Sequence, residues 1–223
     1  MTSLRAGRAL LAVGVGWALL VLAAALVGGF TLGPVTVHSA RPLRFALMAG
    51  FAGWFLLPRE ERAALLARLG PQRLLLSGLG FAVVYGLAYR VTRWLSFGTS
   101  AFDLSLFEST LHYTLQGDFM FAWGLGRSLF SEHFEPIVLF HLPLWAPFKH
   151  PLVLLVSQQL AVTLAAVPLY RSARALGLDA RLATLAAAAY LLNAVVWRAS
   201  RVDFHPELFG PLAVFWALQA SLT

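Results

Sequence analysis

The sequence has no cysteine, a single lysine and few charges of either sign. The missing cysteine, across 223 residues, excludes a disulfide framework and a thiolate metal site, and leaves the compartment open. Charged residues make up 12% of the chain, against roughly 25% in an ordinary soluble domain. With 59% hydrophobic residues and a mean hydropathy of +0.74, that shortage argues against a soluble fold. A water-exposed chain of this length could not hide so much apolar surface, whereas lipid removes the constraint. Repeats and low-complexity tracts are also lacking, and no shift in composition marks a boundary, so 1–223 reads as one transmembrane domain.

The basic residues are the next observation. Lys and Arg number 17 against 10 acids, for a net charge of +7, and Lys149 is the only lysine. The arginines stand at the ends of apolar runs and form no single basic stripe, which speaks against a nucleic-acid partner. Their ordinary role there is to flank spans and set orientation.

A spanning helix needs about 20 apolar residues. Six runs qualify wholly or in part: 9–30, 43–57, 74–95, 151–170, 183–198 and 208–223. The first is too long for a signal-peptide core of roughly 7–15 residues and reads as an uncleaved helix. In the short second run Arg41 and Arg44 would have to snorkel. Arg59–Arg73 is charged and helix-prone, and reads as a loop on the membrane surface. Residues 171–181 read as a basic loop. Between the third and fourth spans lies a large loop, 96–150, in which 137–148 is apolar but only about a dozen residues long. That piece is expected to be re-entrant or interfacial. No polar tail follows the last run, so the chain reads as an N-terminal fragment of a longer protein. The expected class is all-α: a polytopic, multi-pass helical protein of the cell (inner) membrane.

With the N-terminus in the cytoplasm, nine basic residues fall inside and eight outside, so the positive-inside rule barely votes. The acids are more lopsided. Seven of ten (Asp103, Glu108, Asp118, Glu132, Glu135, Asp203 and Glu207) gather on the outer side.

All of these but Asp118 belong to three short motifs. The first runs from Phe102 to Ser109. Read as a helix, it puts Leu104, Phe107, Leu111 and Leu115 on one stripe facing lipid or protein, which suits an interfacial helix. Glu108 and His112 are i,i+4 neighbours on one flank. Asp103 and Glu108 stand about 140° apart and do not form a proton-sharing pair. Asp103 could equally be a helix N-cap. The second motif, Ser131–Pro136, and the third, Asp203–Glu207, each place a carboxylate, a histidine, an aromatic ring and a proline directly before an apolar run. Proline and acids suit a helix start. A histidine with another carboxylate both times is not explained that way, and these are ligand types for a divalent cation, with His133, Asp203 and His205 the candidates. His38, His141 and His150 lack acidic neighbours and read as structural or interfacial. Trp94, Tyr170 and Trp197 suit aromatic belts. Gln158, Gln159 and Asn193, inside spans, are expected to hydrogen-bond other helices.

In order and spacing the three motifs resemble a family of predicted prokaryotic membrane proteins known as domain of unknown function 2079. They stand here as FDLSLFE from Phe102 to Glu108, EHFEP from Glu132 to Pro136, and DFHPE from Asp203 to Glu207. A fourth stretch, Pro168–Arg171, is also similar. The resemblance covers roughly Phe102 to the C-terminus. Ser105 and Glu108 depart from the family's usual glycine and aspartate.

The family in turn resembles a distant branch of the GT-C glycosyltransferases. That implies an enzyme that takes a sugar from a polyprenyl-phosphate carrier at the outer face. On that resemblance Asp103, just after a span, takes the place of the catalytic carboxylate. Glu108, Glu132, His133, Asp203, His205 and Glu207 would shape the site or hold a divalent ion, and Arg198 and Arg201 would hold the carrier phosphate. The alternatives are a non-catalytic membrane scaffold, in which the motifs are only caps, and a transporter. A transporter would place acids near the bilayer midplane, and none falls within a confident span.

Overall fold

The computed structural model describes residues 2–26, 30–32, 35–37, 43–95, 98–99, 101–201 and 203–223. His38 and Arg41 lie outside the described residues. The described chain is almost wholly helical and forms two compact units, Met1–Phe97 and Gly98–Thr223.

The first unit holds α1 (Thr2–Leu26), α2 (Leu43–Leu56) and α3 (Arg59–Leu95), with a short antiparallel hairpin of β1 (Phe30–Leu32) and β2 (Val35–Val37). Helices α1 and α2 approach closely because both present glycine at the crossing. A Cβ placed on Gly53 would stand 2.9 Å from the Gly7 carbonyl oxygen. Small residues permit such backbone contact in helices that pack within lipid. Arg8 of α1 donates two hydrogen bonds to Glu61 of α3, at 2.8 and 3.0 Å.

The charged run from Arg59 to Arg73 is helix, which corrects the expected surface loop. Glu60 and Glu61 sit in its first turn, where acids meet the positive end of the helix dipole. The helix then breaks at Gly70 (φ 66°, ψ 163°), a conformation that suits glycine, and Pro71 starts the second half, where its missing N–H costs little.

The second unit holds α4 (Ala101–Leu115), α5 (Leu142–Phe148), α6 (Leu152–Leu164), α7 (Ala166–Ala175), α8 (Ala180–Leu191), α9 (Ala194–Ser200) and α10 (Gly210–Leu222). The two-residue strands β3 (Phe121–Ala122) and β4 (Arg127–Ser128) make a second hairpin. Four 3-10 segments lie between these elements; two of them, Pro136–His141 and Pro206–Phe209, lead into α5 and α10. Leu111, Met120, Leu129, Val138, Trp145, Leu154, Leu155 and Phe204 form the buried core.

Among the described residues, three helices are long and apolar enough to cross a membrane: a window in α1 (Leu4–Val21), α3, and α6 with α7 as one run, Leu152–Ala175. Residues 171–175 are therefore helix, and the expected basic loop shrinks to the turn before Asp179, whose carboxylate caps α8. The expected span 183–198 is broken: α8 and α9 meet at 45°. Asn193 makes the break by accepting hydrogen bonds from the N–H groups of Val195 and Val196, at 2.8 and 3.2 Å. These bonds serve its own helix, where a bond to another helix was expected. The molecule is a multi-pass helical membrane protein.

Candidate functional site

The first motif lies on α4, as its periodicity predicts. Leu104, Phe107 and Leu111 are buried, together with Leu106 and Thr110, while Leu115 is exposed. The stripe therefore packs against protein over three of its four positions. Asp103 sits in the first turn, two residues past the helix start. It is not the cap, and at this place its charge favours the helix dipole. It is partly exposed, one helical turn before Phe107.

Phe107 meets Phe204 of the third motif edge to face, with ring centroids 5.1 Å apart and planes at 73°. Phe204 is fully buried and also touches the His141 ring at 5.3 Å and the Phe209 ring at 6.1 Å. The sequence singles out the acids and histidines of this motif; the phenylalanine between them anchors it.

The backbone of the third motif is clamped by Gln158 of α6. The Gln158 side-chain amide donates to the Asp203 carbonyl oxygen at 3.2 Å, and its oxygen accepts from the His205 N–H at 2.7 Å. Gln158 is fully buried. A polar residue in an otherwise apolar span was the visible signal; its partner is a turn, where another helix was expected. Gln159 bonds to Thr163 within its own helix.

The second and third motifs come together. The Glu135 carboxyl lies near enough to Glu207, His133 and His205 to feel the charge of all three. Burial, first, and the Glu207 charge, second, hold it above the usual carboxylate range, while the two histidines pull the other way. One Glu135 oxygen, Oε2, is buried without a hydrogen-bond partner. His133 Nδ1 stands 4.0 Å from Glu135 Oε1, and His205 Nδ1 stands 3.8 Å from Glu207 Oε2. Two His-x-Glu turns about 70 residues apart in sequence thus lie close enough for the charges of one to act on the other. Pro136 and Pro206 each open a 3-10 segment, as proline at a helix start should. Neither Glu135 nor His205 caps with its side chain, so these polar groups are not used as helix punctuation.

Glu108 on α4 has histidine neighbours of its own. Burial raises its pKa, and His150 and then His112 oppose the shift. His150 shows no acid beside it in sequence, so only the fold reveals this pairing. His141 is structural, as read. It is buried, 3.1 Å from Ser157 Oγ, and burial lowers its pKa.

Other expected site residues are exposed. Glu132 is exposed and paired with Arg127 across the hairpin end. Arg198 and Arg201 lie exposed on or just after α9, and Arg201 stacks over the Trp197 ring at 5.5 Å. Among the described residues, no group of three or more His, Asp or Glu side chains is arranged to hold a metal ion. His133, Asp203 and His205 form no such group; Asp203 is 2% exposed and the His133 side chain 53% exposed.

A family model described as predicted membrane protein, DUF2079, matches residues 93–223. That stretch holds all three motifs and every contact between them described above. No curated protein and no solved structure matches the chain. With well over half its length matched, the chain belongs to the DUF2079 family of predicted membrane proteins.

Proposed function

We propose that the protein is a membrane glycosyltransferase of the GT-C kind, which moves a sugar from a polyprenyl-phosphate carrier to a hydroxyl acceptor at the outer face of the cell membrane, its N-terminus in the cytoplasm. One observation carries this reading. The Phe107–Phe204 contact joins the helix that bears Asp103 to the D-F-H-P-E turn, and that turn faces the second motif through Glu135. Residues about a hundred positions apart in the chain thus pack together, which supports reading the polar groups on α4 and on the two turns as parts of one site. Helix caps alone do not require such convergence, which favours a site over a scaffold.

In this reading Asp103 is the general base that takes the acceptor's proton. Glu108, His133, His205 and Glu207 bind and orient sugar hydroxyls, and the buried Asp203 supports its turn. Arg198 and Arg201 hold the carrier phosphate through charge-assisted hydrogen bonds. Glu132 stabilises the hairpin through Arg127.

The test is transfer by the purified protein from polyprenyl-phosphate sugars, assayed for lipid-linked and acceptor-linked product. Asp103→Asn should lower the rate by about 10²- to 10⁴-fold, the usual worth of a positioned base. Unchanged transfer by that variant would remove Asp103 from the mechanism.

A further inference from the structure

The segment Pro136–Phe148 carries an unpartnered apolar face. Val138, His141 and Trp145 are buried in the protein. On the other side Phe140, Leu144 and Phe148, spaced at i, i+4 and i+8, are exposed to 78%, 50% and 69%. No Asp, Glu, Lys or Arg occurs between Glu135 and Lys149. An apolar face of this kind is costly in water and marks a contact surface.

The chain itself names the occupant. Leu152, three residues after Lys149, begins the candidate span Leu152–Ala175, so the C-terminal end of the segment is tied to the bilayer boundary. Six 3-10 residues and seven α residues extend about 22 Å at rises of roughly 2.0 and 1.5 Å. That falls short of the roughly 30 Å hydrocarbon core.

We propose that Pro136–Phe148 lies in the plane of the membrane interface, with Phe140, Leu144 and Phe148 seated at the headgroup–acyl boundary and the exposed Lys149 at headgroup level. A segment with one face on protein and the other in the interface behaves as an amphipathic monotopic helix does. Glu135 directly precedes the segment, so the two His-x-Glu turns are held at headgroup depth, where a lipid-borne phosphate would lie. The inference does not depend on the transfer reading.

The absence of native cysteine makes the test direct. Phe140→Cys, Leu144→Cys and Phe148→Cys would be spin-labelled singly in the whole protein, in nanodiscs, and their accessibility to oxygen compared with that to a water-soluble nickel chelate. Val84→Cys on α3 serves as the span reference and Asp118→Cys as the water reference. All three positions should favour oxygen to a similar degree, shallower than position 84 and deeper than position 118. Preference for the chelate would overturn the proposal. So would poor access to both reagents, which means a protein partner or second copy covers the face. A steep deepening from position 148 to position 140 would also overturn it, because it means a re-entrant dip. An environment-sensitive fluorophore at Leu144→Cys gives a second reading: a blue-shifted emission is expected, and emission like that of position 118 counts against the interface.

Discussion

The Gln158 side chain accepts a hydrogen bond from the His205 backbone N–H at 2.7 Å, from within the candidate span Leu152–Ala175. The same side chain donates to the Asp203 carbonyl. A single amide therefore sets the backbone on both sides of Phe204, and through it the direction of Asp203 and His205.

Gln158→Leu should cost stability and activity together. Two buried backbone groups lose their partners, and each such loss costs about 1–3 kcal/mol. Unfolding of the purified protein in mixed micelles measures the first effect and the transfer assay the second. A variant as stable as the wild type would show that the clamp is not needed to hold the turn.

Phe204→Ala removes the ring that links α4, His141 and Phe209. Truncation of a fully buried phenylalanine costs about 3–5 kcal/mol. Phe204→Leu should cost clearly less, because most of the volume remains. The order of the two melting temperatures is the check, and equal losses would mean that packing at this ring does not matter.

The glycine crossing in the first unit makes a separate prediction. Gly53→Ala puts a methyl group 2.9 Å from the Gly7 carbonyl oxygen and 2.9 Å from the Leu11 nitrogen. Backbone must shift, at a cost of about 1–3 kcal/mol. Gly80→Ala, with nothing within 4 Å of its added carbon, is the matched control and should be tolerated. Comparable losses in the two variants would contradict close packing at Gly53.

The pH dependence follows from Glu135. Its folded pKa is raised, by burial first and by Glu207 second. A raised acid binds its proton more tightly when folded. The stability this brings is complete below the ordinary value of about 4.3 and is lost as pH rises through the raised value. Glu135→Gln cannot lose a proton, so its melting temperature should gain on the wild type from about pH 4 upward. The gap should level off once the wild-type carboxyl is ionised. Glu207→Gln removes a like charge and lowers the folded pKa of Glu135, so the loss in that variant should be smaller and should level off at lower pH. A gap independent of pH between 4 and 8 would be the wrong result.

How much of this was legible beforehand depends on the distance over which each interaction acts. Composition and apolar run length are properties of the chain alone, and they determined that the protein is helical and membrane-embedded. The spacing of Leu104, Phe107 and Leu111 was enough to place α4 as a helix, because a 3.6-residue period is local. Pro136 and Pro206 marked two helix starts for the same reason.

What needed the tertiary structure was everything that joins distant positions. Asn193 looked like any polar residue in a span, and only the 45° break shows it capping a second helix. The charge of the Arg59–Arg73 run suggests a loop at the membrane surface, yet the run is helix on both sides of a break at Gly70. Glu135 and Glu207 each sit beside a histidine in sequence, but their mutual repulsion exists only because two turns fold against each other. Burial and through-space charge carry no trace in the order of residues. Side-chain type and periodicity do, and on those the sequence alone was decisive.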